Sequence, residues 1–404
     1  MARPNYAMLE VGKTGIRRNY NTVDEEFLST LKSAEGIRTY REMRDNDPII
    51  GAFMHAITMI FREARWSVQI PANGGSEKDK NFLLDCMYDM QFSWSDFIAD
   101  AVSMLTYGWS WFEQVYKRRQ DGKIGWKKFA FRSQTSLEEW SFTDVGDTIG
   151  MYQRPAPDYT SYYLPLSKSI HFRTENAGGN PEGRSVLRNS YRPWFFKKVI
   201  EELEGIGLER DFTGLPKINL PPGINLADDD PETQAAVTAA KRLIANVRRD
   251  EQDGILLPDG WLFELVSSPG QRQFNTVEII NRYNKEIAVT VLAQFIMLGM
   301  ERTGSYALAG EQTEMFYLCL EGWMDNMAST INRQAVRLLF GLNGREDYQN
   351  FPSVVHTLVR KVNLKDMTNY ISQLVPIDAV EVTDDLKSFL KSYARLSEYS
   401  ERKE

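Results

Sequence analysis

Residues 185–223 read SVLRNSYRPWFFKKVIEELEGIGLERDFTGLPKINLPPG, a long helical pattern that runs into prolines. Proline removes an amide donor and clashes with the preceding turn, so the helix is expected over about Ser185–Phe212 and stops before Pro216. A second long pattern, FNTVEIINRYNKEIAVTVLAQFIML, covers residues 274–298. Two long helices therefore flank a small insert, and few architectures accept that order. Leu187, Tyr191, Phe195, Val199 and Leu203 form one stripe of the first helix. Its first half is basic (Arg184, Arg188, Arg192, Lys197, Lys198) and its later part acidic (Glu201, Glu202, Glu204). The macrodipole favours the opposite order, so something outside the helix is expected to compensate it. Contact between the basic residues of one copy and the acidic residues of another is one solution. A solvated charged face is the other.

Upstream, DNDPIIGAFMHAITMIFREARWSV opens with Asp47 as a cap and Pro48 at the first helical position. Ile50, Phe53, Met54, Ile57, Ile60 and Phe61 then recur at helical spacing, and WSVQIP leaves as a strand. Residues 77–91 and 95–108 read as helices, with a change to strand after Gly108. Asp121-Gly122 between two aromatic runs signals a hairpin, and more strands follow to about residue 172. Residues 36–175 thus read as an α+β region. Residues 1–35 are polar, without clear pattern, and are expected to order only on something else. Within the insert a helix is expected over 231–249, then a hairpin around Asp259-Gly260. A glycine-punctuated loop, GMERTGSYALAGEQ, precedes a long helix over 312–340, and short helices are expected over 364–374 and 383–398.

Enzyme chemistry finds little footing. VGKTG at 11–15 lacks the first glycine of a phosphate loop, because Ala7 stands there. His55, His171 and His356 are scattered, with no ligand spacing, and His55 is expected to be a partly buried polar residue. GRSVL around Ser185 lacks the second glycine of a nucleophile elbow. Asp228, Asp229 and Asp230 fit a helix start better than a cation loop. No catalytic residue, metal site or cofactor is expected. The net charge of −7 argues against a basic surface that grips nucleic acid. The longest apolar stretch, Ile287–Leu298, is shorter than the roughly 20 residues a bilayer requires, so no membrane partner is expected. Two cysteines far apart, Cys86 and Cys319, fit a reducing compartment.

The order of these parts resembles the portal proteins of tailed bacteriophages. GNPEGRSVLRNSYRPWFFKKVIEE…ERDFTGLPKINLP looks like the family's entry into its stem helix. DPIIGAFMHAITMIFREARWSVQIP resembles its N-terminal helix and Trp-centred strand, and LTYGWSWFEQVY the helix-to-strand step that follows. The resemblance covers about residues 36–345. It implies an α+β, portal-like protomer with a wing, a two-helix stem, a small α/β clip insert and a short helical crown. The implied boundaries are an N-terminal arm at 1–35, the wing at 36–184, stem helices at 185–212 and 274–298, and the clip at 213–268. A tunnel loop at 299–311, a wing or crown helix at 312–345 and a C-terminal wing or crown region at 346–404 complete the division. The implied function is a homo-oligomeric ring of about twelve copies at one capsid vertex, for DNA packaging and ejection. Its partners would be double-stranded DNA held weakly and without sequence preference, the terminase large subunit, a head-tail adaptor and the major capsid protein. The protein would reside in the virion after assembly in the host bacterial cytoplasm. Tunnel-loop contacts would come from Glu301, Arg302, Thr303, Ser305 and Tyr306, with Arg302 and Tyr306 nearest DNA. Stem contacts between copies would use Arg188, Arg192, Lys197, Lys198, Glu201, Glu202 and Glu204. The clip would meet a partner through Lys241, Arg242, Arg248 and Arg249. Another virion neck or head-completion ring protein is the alternative reading.

Overall fold

In a computed structural model that describes residues 10–71, 74–213, 215–221, 230–246, 256–266, 275–291 and 306–357, the N-terminal segment is built into the body. Strands β1 (Arg18–Asn19) and β2 (Thr22–Val23) pair with each other. The Trp140 amide donates to the Asn21 carbonyl at 3.0 Å and the Thr14 amide to the Val145 carbonyl at 3.0 Å. Val23 and Leu31 are buried. The expectation that residues 1–35 order only on another molecule is thereby corrected for residues 10–35. Two buried aliphatic side chains, at about 1.5–3 kcal/mol each, favour docking on the chain's own sheet.

Helices α1 (Ser33–Asn46) and α2 (Pro48–Glu63) meet at Asp47, whose carboxylate accepts the Ile49 and Ile50 amides at 2.9 and 3.1 Å. This is capping of otherwise unpaired first-turn donors. Ile50, Phe53, Met54, Ile57 and Phe61 are buried. His55 lies exposed on the opposite side rather than partly buried. Strand β3 (Arg65–Gln69) turns Trp66 and Val68 inward. Helices α3 (Glu77–Tyr88), α4 (Trp94–Ala101) and α5 (Ser103–Tyr107) follow, and Gly108 ends α5 at φ 94°.

Strands β4 (Trp109–Arg118) and β5 (Ile124–Arg132) form the hairpin at Asp121-Gly122. Strands β6 (Leu137–Phe142), β7 (Thr148–Gln153) and β8 (Tyr162–Pro165) make a separate antiparallel sheet, and β9 (Ser169–Arg173) returns to β4 to give the order β5-β4-β9. Aromatic side chains fill the space between helices and sheets, with Phe97 in ring contact with Phe112, Phe129 and Phe172. A smaller core holds Trp109, Trp111, Trp140 and Met151.

The glycine-rich connection at 175–185 docks tightly onto the α5–β4 step. The Thr174 amide donates to the Gly108 carbonyl at 2.9 Å, the Val186 amide to Leu105 at 3.0 Å, and the Ser185 hydroxyl to Thr106 at 2.6 Å. A Cβ on Gly108 would lie 2.2 Å from the Glu182 carbonyl oxygen, and one on Gly183 would lie 2.4 Å from that of Gly108. Two backbones thus touch where only glycine fits.

Helix α6 (Tyr191–Thr213) starts six residues later than the periodicity suggests, after a 3-10 turn at Arg188–Ser190. Pro193 is the reason: its ring is incompatible with a helical carbonyl at Asn189, whereas within the first turn it is tolerated. Strand β10 (Leu215–Asn219) leads to α7 (Pro231–Asn246), where the Thr233 amide donates to Asp230 at 3.2 Å. Strand β11 (Leu262–Val266) pairs with β10 along all five residues. The local hairpin expected around Asp259-Gly260 is therefore corrected. Pro258 cannot donate to a ladder on the near side of that turn, so β11 pairs with a strand more than forty residues upstream.

Helix α8 (Thr276–Thr290) runs antiparallel to α6. Ser190 and Thr290 hydroxyls lie 2.5 Å apart, Phe196 stacks on Tyr283, and Thr276 donates to Glu204. Helix α9 (Tyr306–Ile331) passes through a π-helical turn, Asn332–Val336, into α10 (Arg337–Leu342). The expected helix over 312–340 is thus longer and interrupted. Strand β12 (Ser353–Thr357) pairs with β3. The helices expected over 364–374 and 383–398 lie outside the described residues.

Gly108→Ala is expected to cost about 2–3 kcal/mol, because it combines a left-handed φ with a backbone clash. Gly122→Ala, at φ 81° with nothing within 4 Å, is expected to cost about 1 kcal/mol. Urea unfolding of the two variants checks the difference.

Candidate functional site

The approach to α6 and its first half carry the charge that the helix dipole disfavours, and Arg188, Lys197 and Lys198 find partners in the N-terminal segment and at α1–α2. The Lys197 ammonium lies 2.9 Å from the second oxygen of Asp47, with the two side chains only 4% and 3% exposed. Asp47 thus caps α2 with one oxygen and holds α6 with the other. Lys198 pairs with Glu42 at 2.5 Å. Arg188 makes a forked contact with Glu26, one arm at 2.8 Å. The Thr30 hydroxyl donates to the Tyr191 hydroxyl at 3.1 Å. Burial raises the Glu26 carboxyl, but the Arg188 hydrogen bonds and charge outweigh it and leave its pKa below the ordinary 4.5.

This arrangement places each candidate stem residue. Arg188, Lys197 and Lys198 are engaged within the chain, so they cement α6 to its own body rather than standing free. Arg192 is exposed, with its guanidinium 5.9 Å from the Phe196 ring. Glu201 lies 3.8 Å from Lys197, Glu202 is exposed, and Glu204 accepts from Thr276. In the expected apolar stripe only Leu187 is buried, while Tyr191 and Val199 are half-buried. Phe195 is 43% exposed and Leu203 61%. Trp194, Lys197 and Pro193 take the inward positions instead. Past Lys198, α6 shows exposed Leu203, Ile206 and Leu208.

Lys241 and Arg242 are exposed on α7. Arg248 and Arg249 lie outside the described residues. So do Glu301, Arg302, Thr303 and Ser305, and Tyr306 is the first residue of α9. No sequence signal pointed to the Asp47–Lys197 pair, because its members stand 150 residues apart. Glu26 and Glu42 were equally invisible as partners.

A second junction surrounds His171, which is packed among Trp109, Trp111 and Trp140. Its Nε2 lies 2.8 Å from the Pro181 carbonyl, and its amide donates to the Gln334 side chain at 2.8 Å. Trp140 donates to Glu182 at 3.0 Å. Burial, then the Arg173 charge, push the imidazole down to about 3 from the ordinary 6.5. Burial raises the Glu182 carboxyl, against the Trp140 hydrogen bond. His171 is a neutral structural donor that fixes the loop preceding α6. Among the described residues no cluster of three or more His, Cys, Asp or Glu side chains could hold a metal. No described helix is long and apolar enough to cross a membrane.

A protein-family model described as the portal protein of Mu bacteriophage matches residues 37–388. Solved structures with a similar fold include the neck of an empty gene transfer agent particle computed with C6 symmetry. That match has 12% identity and a TM-score of 0.55, over 87% of this chain and 93% of the other. The neck of the native particle computed with C12 symmetry matches at 13% identity and a TM-score of 0.54, over 87% and 92%. At such identity the likeness is one of fold.

Lys197→Met is expected to destabilise the chain by about 3–5 kcal/mol, since it leaves the Asp47 carboxylate buried and uncompensated. Adding Asp47→Asn, which keeps a cap, is expected to recover part of that loss in urea titrations. The His171 pKa is lower in the folded than in the unfolded chain. Its contribution is therefore complete above about pH 6.5 and lost as pH falls toward about 3. Unfolding midpoints are expected to drop between pH 7.5 and pH 5, above the carboxylate range, and to drop less in His171→Gln.

Proposed function

The chain belongs to the family of the portal protein of Mu bacteriophage, and from that premise we propose that it forms a ring channel of about twelve copies. The ring sits at one capsid vertex, where double-stranded DNA enters during packaging and leaves during ejection. Portal proteins are structural, and so is the role proposed here. The observation that carries the reading is the family match over most of the chain. The ring symmetry of the gene transfer agent necks supports it.

In this reading, residues 36–184 with the helix at 312–345 make the wing, and the C-terminal residues join the wing or crown. The antiparallel α6 and α8 are the stem staves of the channel. Residues 213–268, closed at the base by the β10–β11 pair, are the clip. The clip docks the terminase large subunit and later the head-tail adaptor, with Lys241, Arg242, Arg248 and Arg249 as its basic contacts. Residues 299–311 form the tunnel loop, and Arg302 and Tyr306 approach DNA. The major capsid protein surrounds the ring, and the protein is carried in the virion after assembly in the host cytoplasm.

The physical chemistry agrees with a conduit. DNA must slide in both directions, and each neutralised phosphate adds affinity that resists sliding. A chain of net charge −7 limits that grip. The intrachain pairs at Arg188, Lys197 and Lys198 revise one element of the expected ring contact. Subunit contact along the stem falls instead to the outer residues of α6, where Leu203, Ile206 and Leu208 are exposed. A ring needs one complementary pair of faces per copy, and exposed Leu203 and Ile206, three residues apart on one side of the helix, offer apolar surface for it.

Mass photometry with electron-microscope class averages tests the reading. Rings of about a dozen copies around an open channel are expected. A compact dimer without a channel would overturn it. Leu203→Glu with Ile206→Glu is expected to abolish rings while leaving the monomer's thermal unfolding nearly unchanged. Deleting residues 300–307 is expected to leave rings intact and to impair DNA retention. Dissolution of the ring by that deletion would make the loop structural.

A further inference from the structure

A groove of about 840 Å³ runs between the β6-β7-β8 sheet and the π-turn–α10 segment. Ile149, Tyr163 and Leu166 line one wall, and Leu338 and Tyr348 the other. Arg333 and Arg337 project into it, four residues apart and both exposed. Neither has a carboxylate partner among the described residues. Arg333 donates to the Ser329 carbonyl at 3.3 Å, and the Arg337 guanidinium sits 5.9 Å from the Tyr348 ring. Asp347, beside Tyr348, accepts a hydrogen bond from the Asn350 side chain at 2.6 Å. Arg173 adds a third positive charge nearby. Burial, and then the charge of Arg333, hold the Arg173 guanidinium below its ordinary value.

Several cationic side chains of this body are paired. Arg62, Lys117, Arg119, Arg132, Arg154 and Lys168 all meet carboxylates. Arg333 and Arg337, without a carboxylate partner among the described residues, concentrate positive charge at one apolar groove of an acidic chain. They are also held in place. The π-turn that carries Arg333 is pinned from two sides: Gln114 donates to the Gln334 carbonyl at 3.1 Å, and Asn332 exchanges two hydrogen bonds with Val354. Strand β8, which lines the groove, is the outer strand of its sheet. An outer strand can accept a further extended segment.

We propose that this groove binds an extended acidic segment of a second polypeptide, whose carboxylates pair with Arg333 and Arg337 and whose aliphatic side chains fill the walls. Charge complementarity selects an anion, since guanidinium groups recognise carboxylates bidentately. The aliphatic walls select a peptide over DNA, because phosphate contacts gain nothing from Ile149, Leu166 or Leu338. The site is independent of the channel reading, since it is complete in one copy of the chain.

Selection from a random library of about twelve-residue peptides on the immobilised full chain tests it. Enriched peptides are expected to carry Asp or Glu interleaved with Leu, Ile, Val or Phe. The best peptide, measured by fluorescence polarisation, is expected to lose at least about tenfold in affinity against Arg333→Glu/Arg337→Glu. Replacing its acidic residues by Lys is expected to restore binding to that variant, which also verifies that the variant is folded. Enrichment without an acidic motif, an affinity unchanged by the double substitution, or displacement by a short DNA duplex would overturn the proposal. Each outcome is read on the single chain, so its failure leaves the ring test untouched.

Discussion

The buried contact between Lys197 and Asp47 makes one object of the α+β body and the long helix pair. A carboxylate at an N-cap is ordinary, and so is a lysine on a helix. Here one carboxylate serves both: one oxygen closes the first turn of α2 and the other takes the ammonium of α6. Removing either partner strands a charge in an apolar setting, which costs far more than a surface pair contributes. Glu42 extends the contact to Lys198 of α6, and Glu26 holds Arg188 in the 3-10 turn that leads into it. The reversed charge order of α6 is explained by these acidic partners on the N-terminal segment and α1–α2, which outweigh the unfavourable dipole.

The second constraint is steric. The approach to α6 passes through a crossing where the backbones of Gly108 and Gly183 touch, and the hydrogen bonds of Thr174, Ser185 and His171 lock it. Together with the ion pair, this fixes the direction in which α6 leaves the body. The helix is fixed at its root and contacts α8 from Ser190–Thr290 to Glu204–Thr276. Its exposed aliphatic residues lie beyond the anchored stretch, where they are free to meet another surface. The apolar stripe reads as core in sequence, yet Phe195 and Leu203 face outward because Trp194 and Lys197 take the inward side.

The π-turn at Asn332–Val336 also anchors helix to sheet. It interrupts the helix where two sheets converge, and its freed backbone and side-chain amides bond to β4, β9 and β12. One extra residue in the turn also sets Arg333 and Arg337 toward the groove beside β8. Anchorage and surface chemistry thus share one irregularity of the helix.

Local chemistry was legible from the residues alone. Asp47-Pro48 specifies a helix start, Asp121-Gly122 a hairpin and Gly108 a helix end, because capping, turn geometry and left-handed φ depend on neighbours within a few positions. The element order was legible too, and with it the resemblance to portal proteins that the family match supports. Pro193 was equally readable and gives the true start of α6, although the surrounding periodicity argues for an earlier one. Tertiary structure alone decided which charges pair, which face of α6 turns inward, that β11 joins β10, and that residues 10–35 belong to the body. Each depends on groups tens to hundreds of residues apart, and no spacing rule links Asp47 to Lys197. A sequence fixes short-range geometry through its own covalent neighbourhood, but burial and charge compensation exist only once the chain has closed on itself.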